Sequence, residues 1–447
     1  MTNQMGQEDM PNWDVVIIGG GPAGSTAATL LADAGHRVQL LEKAHHPRFH
    51  IGESLLPANL RLFERLGVGD AVREIGMLKP AAEFVSPQHD NRLERFHFAD
   101  AWDKSMPRAY QVRRSQLDEI LLRNAAAHGA DVVEGCQVRE VEFLDESSGA
   151  IVSATHEDGR PYRCRARFVV DASGRDTLLA NRLRTKQRNK KHNSSALYGH
   201  FRGARRHPGT DEGNITIYWF QHGWFWFIPL SDGTTSIGAV VWPQYLKQRA
   251  RSTSIKAFFL ETIATCPPLA ERLADAQLVG DVEATGNFAY SGDVTHGRNF
   301  VLLGDAFAFV DPVFSTGVML AMQSAFIGAQ AVDTCLRDPA RAGAALAKFD
   351  RDVRRGPKEF SWFIYRMTSP TMRNLFMNPR NVFRVKEALL SMLAGDIFGD
   401  TPIWPSLRMF KAIYYLSAAF NARNSLRAWK TRRRMLRQAE DAGMTAG

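Results

Sequence analysis

Asp14-Val15-Val16-Ile17-Ile18, followed by Gly19-Gly20-Gly21-Pro22-Ala23-Gly24, decides the fold. Consecutive β-branched apolar side chains suit a strand buried on both faces. The glycines then spell G-x-G-x-x-G at the turn. Ser25 to Ala34 reads as a helix closed by Gly35, and Val38 to Glu42 as a second apolar strand. Residues 14–42 therefore make one strand–helix–strand unit. Gly19 permits the tight turn, Gly21 lets backbone approach a pyrophosphate, and Gly24 lets helix and strand pack closely. Backbone N–H groups and the positive helix end would hold the phosphates. Glu42, 18 residues past Gly24, stands where an acid accepts hydrogen bonds from an adenosine ribose. Strand, helix and acid together favour a bound dinucleotide over a ligand-free glycine turn.

Working outward, the 447 residues suit several sub-domains on one scaffold. Helices are expected over 58–66 and 114–128, and strands over 137–144, 151–155 and 165–171. Residues 195–290 change texture, with short aromatic-rich runs at 215–220, 224–230 and 235–242 that read as an antiparallel sheet roofing a pocket. A buried strand follows at 299–304 and a long helix at 315–332. Beyond about residue 340 the chain reads as helical, broken at Pro357, Pro370, Pro379 and Pro405. Lys186 to Ser194 reads as a basic surface loop. The expected division is 12–190 (dinucleotide domain, first part), 191–290 (sheet domain), 291–345 (return segment) and 346–447 (helical region with a basic tail).

No apolar run reaches about 18 residues, so no transmembrane helix is expected. The opening MTNQMGQEDM lacks the apolar core of a signal peptide, which points to the cytoplasm. Four scattered cysteines without C-x-x-C spacing argue against a disulfide framework and a zinc site. The net charge of +9 is concentrated: residues 401–447 hold nine Lys or Arg against two acids. Lys430, Arg432, Arg433, Arg434 and Arg437 make the densest part. A solvated helix face, an acidic partner and an anionic membrane surface all suit such a run. Nucleic acid does not, because no recognised binding module accompanies it. Aromatic residues at 360–365 and 410–420 suit core packing, a flat apolar pocket, or a peripheral membrane contact, in that order.

Trp224, Trp226 and Ile228 alternate with Phe225 and Phe227, so in a strand they share one face and would build a rigid, dry wall. Three further segments carry chemistry. Val112 to Asp118 opens a helix with basic residues, Val169 to Arg175 follows a strand, and Val301 to Ala306 ends a strand on Asp305, with Asp311-Pro312 beyond.

With these segments in this order the chain resembles the FAD-dependent monooxygenase superfamily of p-hydroxybenzoate hydroxylase-like fold, from Asp14 to about residue 350. Within it, Gly223-Trp224-Phe225-Trp226-Phe227-Ile228-Pro229 matches the W-x-W-x-I-P motif of the flavin-dependent halogenases. Gly52-Glu53-Ser54-Leu55-Leu56-Pro57, Lys79-Pro80-Ala81-Ala82 and Asp311 to Val318 stand where those enzymes carry matching segments. The resemblance implies an α/β fold: a Rossmann-type FAD-binding domain, an antiparallel-sheet substrate domain and a helical C-terminal region. It implies FAD contacts at Gly19, Gly21, Ala23, Gly24, Glu42, Lys43, Arg114, Asp305, Pro312, Gly317 and Val318. It also implies halide held by Thr316 and Gly317, Lys79 as the catalytic lysine, and Trp224, Trp226, Ile228 and Phe314 walling the pocket.

The chemistry so implied is oxidation of chloride or bromide by oxygen activated on reduced FAD, followed by transfer to an electron-rich aromatic. A buried lysine would have its pKa lowered, making a neutral amine available near pH 7. A single dinucleotide fingerprint fits reduction of the flavin by a separate flavin reductase. Phe314 replaces the glutamate of tryptophan halogenases, so the pattern looks closer to halogenases of phenols, pyrroles and carrier-protein-tethered acyl groups. A flavin hydroxylase or dehydrogenase of the same fold, with Lys79 a bystander, and a non-catalytic flavoprotein of a biosynthetic complex are the other readings.

Overall fold

The computed structural model describes residues 10–145, 149–189, 194–250, 252–286 and 289–420. The basic run around Arg427–Arg437 and the opening residues 1–9 lie outside the described residues.

An eight-stranded sheet is built on Asn12–Ile18. This strand runs parallel to Pro161–Asp171 on one side and Val38–Leu41 on the other, with Ile18 level with Asp171 and Leu41. Phe300–Leu302 and Asp131–Val133 extend the parallel core, and Cys136–Phe143 with Ala150–His156 form an antiparallel flap. Val15, Val16, Ile17 and Leu40 have no exposure, as the unbroken apolar runs required. The helices Pro22–Asp33 and Gly317–Arg337 pack together over this sheet.

A seven-stranded sheet runs in the order Gln277–Thr285, Ser195–Arg202, Thr234–Val241, Gly223–Pro229, Ile215–Phe220, Ala81–Ser86 and Arg92–His97. Its last two strands come from far earlier in the chain, and Ala81–Ser86 pairs parallel to Ile215–Phe220, so the sheet is mixed at that edge. Period-two alternation sets its two faces. Phe225, Phe227 and Ile237 pack under the helix Ile255–Ala264, while Trp219, Trp224, Trp226 and Ile228 face the C-terminal helices.

The C-terminal region is helical, but two of its prolines do not break helices. Pro357 lies inside Ala342–Ile364. Phe360 and Phe363 are completely buried just beyond it, and Gly356 lies so close to Leu320 that a Cβ would come within 2.3 Å. Packing of this kind outweighs the roughly 3 kcal/mol that an interior proline costs. Pro405 lies in the first turn of Trp404–Phe420, where its missing N–H costs nothing. The surface loop expected from Lys186 is instead a strand in its first part: Lys186–Arg188 pairs in a three-stranded sheet with Tyr290–Gly292 and Ala308–Phe309. Ladder hydrogen bonds to Tyr290–Gly292 hold its polar residues extended, a pairing that local composition does not signal. Of the C-terminal aromatics, Phe360, Phe363 and Phe410 are core, whereas Tyr415 and Phe420 are exposed. No helix among the described residues is long and apolar enough to cross a membrane.

Candidate active site

One cavity of about 780 Å³ lies between the two large sheets, and nearly every residue singled out from the sequence is on it or next to it. At one end is the glycine turn. A Cβ on Gly24 would come within 1.9 Å of the Gly19 carbonyl, and one on Gly19 within 2.6 Å of the Ala172 carbonyl. Gly21 differs: the nearest group to an added Cβ is Arg48 at 3.7 Å, because this glycine opens onto the cavity. Gly21 caps the helix that starts at Pro22, so the N-terminal end of that helix lies on the cavity. Glu42 is buried. It accepts from the N–H of Gly20 at 2.6 Å and of Ala44 at 2.9 Å, which fixes its carboxylate on the cavity wall.

Cations surround this end. Arg114 is forked onto Asp118 at 2.8 and 2.9 Å and donates to the Ile51 carbonyl at 3.0 Å. Burial pushes the Asp118 carboxyl up, but Arg114 overrides it and holds the group below its usual range. Arg48 lies 3.7 Å from Glu42 and 3.5 Å from Asp118. Lys43 pairs with Asp176 at the rim, and Arg175 reaches the Thr285 hydroxyl at 2.6 Å. Burial, helped by Arg114, depresses the His50 imidazole to about 4, so it is neutral at pH 7. A diphosphate would meet three guanidinium groups and a helix N-terminus here, so the residues present fit FAD. Farther along, burial raises the Asp305 carboxyl to about 6 against the pull of Arg175 and Arg114.

At the other end Pro312, Gly317 and Val318 line the cavity, and the long helix Gly317–Arg337 starts there. A Cβ on Gly317 would meet nothing within 4 Å. Thr316 caps the helix but is itself buried and off the wall. Phe314 is also off the wall: the single turn Pro312–Phe314 presents Pro312 to the cavity and sends Phe314 into the core, stacked on Phe376 at 6.3 Å. Trp224, Trp226 and Ile228 do form a wall. Trp226 donates to the Ser236 hydroxyl at 3.1 Å and lies against Gly238, where a Cβ would come within 2.1 Å of its ring.

Lys79 ends a short strand, Met77–Lys79, that pairs with Ala109–Gln111. It is 1% exposed. Its Nζ donates to the Ser54 hydroxyl and the Leu55 carbonyl, both at 2.8 Å, and lies 5.4 Å from the centre of the Phe98 ring. Burial alone lowers its pKa to about 7. Lys79 does not itself line the cavity; Ser54 does, and stands between the two. Beside Ser54, Glu53 also lines the cavity, with both oxygens 3.0 Å from His200 Nε2.

The chain matches the family model described as tryptophan halogenase over residues 14–101 and 86–374. It is 30% identical to a 1H-pyrrole-2-carbonyl-[peptidyl-carrier protein] chlorinase of Pseudomonas fluorescens, over 87% of this chain and 90% of that protein. This chain belongs to the flavin-dependent halogenase family. A tryptophan 2-halogenase of Chondromyces crocatus is 34% identical over 75% of this chain, although the match spans only 64% of that relative's length. Among solved structures, the myxobacterial chondrochloren halogenase CndH superposes with a TM-score of 0.76 at 34% identity, covering 91% of this chain and 97% of that one. A flavoprotein/dehydrogenase from Cytophaga hutchinsonii superposes with a TM-score of 0.83 at 26% identity, covering 92% of this chain and all of that one. Membership makes FAD the cofactor of this chain.

Sequence reasoning did not reach several groups on this halogenase's cavity. Arg48 has no motif signal. Arg175 closes the Val169–Arg175 segment, but nothing in that segment gives it a role. Glu53 and Ser54 stand in the Gly52–Pro57 segment, whose pattern points only to the position of Lys79. His200, which pairs with Glu53 but does not itself line the cavity, is 147 residues away, and no spacing rule connects them.

Proposed function

We propose that this chain halogenates an electron-rich aromatic, a phenol, a pyrrole or a carrier-tethered acyl group, using halide, oxygen and FAD reduced by a separate flavin reductase. When bound and reduced, the flavin would supply the two electrons that activate oxygen, and the activated oxygen is the oxidant that turns a halide into an electrophile. The chain's own residues do the rest. The Gly19–Gly24 turn, Glu42, Lys43, Arg48, Arg114, Arg175 and Asp305 would hold the cofactor. The start of the helix Gly317–Arg337 suits a halide, with Gly317 on the cavity wall and Thr316 packed behind it. Trp224, Trp226 and Ile228 exclude water, which would otherwise consume the electrophile. Lys79, with a pKa of about 7, is half neutral at pH 7 and can donate a hydrogen bond to the oxidant or accept the halogen.

The observation that carries this reading is a buried lysine held by a serine of the same cavity that the tryptophan wall and the glycine turn line. The test is mass spectrometry of products made with FAD, a flavin reductase and each halide, comparing wild type with Lys79→Ala. Halide-dependent product in wild type and none in the variant is expected; equal product in both would remove Lys79 from the chemistry. The chlorinase relative acts on a pyrrole-carbonyl group held by a peptidyl carrier protein, which supports a tethered substrate here. The likeness to a flavoprotein/dehydrogenase favours the second reading, oxidation without halogen, which halide-independent turnover would establish.

A further inference from the structure

The helix Trp404–Phe420 departs from the usual division of a surface helix into an apolar and a polar side. Leu407, Phe410 and Tyr414 bury one face in the core. The solvent side is apolar too. Met409, Leu416 and Phe420 are exposed, the last two by 61% and 90%, and Ile413 is only partly buried. These four stand at i, i+4, i+7 and i+11, so they form one stripe roughly 16 Å long. Tyr415, on the neighbouring stripe, is accounted for: its hydroxyl meets Trp362 at 3.2 Å and Arg366 at 3.1 Å. The helix contains no acid. Its charged residues are Arg408, which is exposed, and Lys411, which pairs with Glu359 at 3.0 Å.

A second exposed aromatic stands at the start of this helix. Phe383 is 68% exposed and holds a left-handed backbone, φ 54°, which is unusual for a bulky residue. The Ser406 hydroxyl donates to its carbonyl at 2.9 Å and so fixes it beside the first helical turn. Neither Phe383 nor the stripe borders the large cavity or the small one next to Trp224. They project from the surface. Exposed apolar side chains gathered in this way mark an interaction surface. The charge beside them has one sign: residues 421–447 hold seven Lys or Arg against two acids. The first of these cations, Arg423, is three residues past Phe420, a span of at most about 11 Å.

We propose that the stripe from Met409 to Phe420, with Phe383 at its end, seats this protein on an anionic lipid surface, and that the cations after Phe420 bind the headgroups. The inference is independent of the halogenase reading. A fluid acyl layer accepts projecting side chains without a matching groove, whereas a protein partner must supply a groove for each anchor. Phe and Leu on one side of a helix, with Lys and Arg close by and no acid, is the pattern of a helix lying in the lipid interface. Each Lys or Arg held near the surface adds attraction to anionic headgroups. The described helix is about 26 Å long, shorter than the roughly 30 Å hydrocarbon core, so it lies on the layer and does not span it.

The experiment is flotation of the full FAD-loaded chain with vesicles of phosphatidylcholine alone and of phosphatidylcholine mixed with phosphatidylglycerol. Wild type is expected to partition onto the mixed vesicles at least roughly tenfold more strongly than onto the neutral ones. The double variant Leu416→Ser, Phe420→Ser should lose roughly tenfold or more of that partition. Both residues are exposed, so Tm and flavin content should hold. Phe383→Ser carries the test if the double variant does not fold, and should weaken partition several-fold. Arg432→Gln, Arg433→Gln and Arg434→Gln together should remove the preference for phosphatidylglycerol. Failure of wild type to float with the mixed vesicles overturns the proposal. So does partition that survives the serine variants intact, which would belong to the basic run alone. Capture of an acidic carrier protein, lost in the double variant while wild type floats with neither vesicle, would make this face a protein docking site and also overturn it. Flotation needs no turnover, so halogenation without flotation sinks only this inference, and flotation without halogenation only the halogenase reading.

Discussion

The Lys79 ammonium donates to the Ser54 hydroxyl at 2.8 Å, and that serine is the group through which the lysine meets the cavity. With the Leu55 carbonyl as a second acceptor, the amine is held in place on one side and covered by Phe98 on another. The arrangement fixes an amine that titrates near neutrality beside a space shut off by tryptophans.

Ser54→Ala should leave FAD binding intact and lower kcat by roughly tenfold, the scale of one hydrogen bond to a charged group. Losing an acceptor disfavours the ammonium, so the pH–rate midpoint should move below about 7. An unchanged midpoint would mean that Ser54 does not position the lysine.

Lys79→Met should abolish halogenation and stabilise the protein at low pH. The folded pKa of about 7 lies below the ordinary 10.5, so the unfolded chain binds the proton more tightly. The burial penalty is therefore complete below pH 7 and disappears as pH rises from 7 towards 10.5. Thermal denaturation should show a Tm higher by several degrees at pH 6 and little change at pH 10.

Gly24→Ala and Gly21→Ala should fail differently. The first drives a methyl into the Gly19 carbonyl and should destabilise the fold by several kcal/mol. The second faces open cavity and should give a folded protein that does not retain flavin. Flavin absorbance after gel filtration, alongside circular dichroism, separates the two.

Gly238→Val should dislodge Trp226, since even a Cβ there comes within 2.1 Å of the indole. We expect a loss of about 1–3 kcal/mol of stability. Oxidised halide should escape more readily to an added scavenger, because the wall that excludes water is breached. Equal scavenger consumption by wild type and variant would remove the barrier role from the tryptophans.

Local patterns were legible in the sequence, and local physics is the reason. Four β-branched residues before a glycine turn can only be a buried strand entering a helix, and period-two alternation placed Trp224, Trp226 and Ile228 on one face before any partner strand was known. What the chain's local pattern alone determined was therefore a dinucleotide cradle and a shared tryptophan face; the flavin and Lys79 were reached only through resemblance to a family. Tertiary structure decided the rest. Glu53 meets His200 across 147 residues, Ala81–Ser86 joins a sheet made mostly of later residues, and Arg373 finds Trp219 from a different layer. Packing carried a helix through Pro357 and turned Phe314 away from the cavity. Such contacts depend on which surfaces are brought together, and backbone propensity carries no record of that, because the free energy that selects them is gained only when distant apolar faces close.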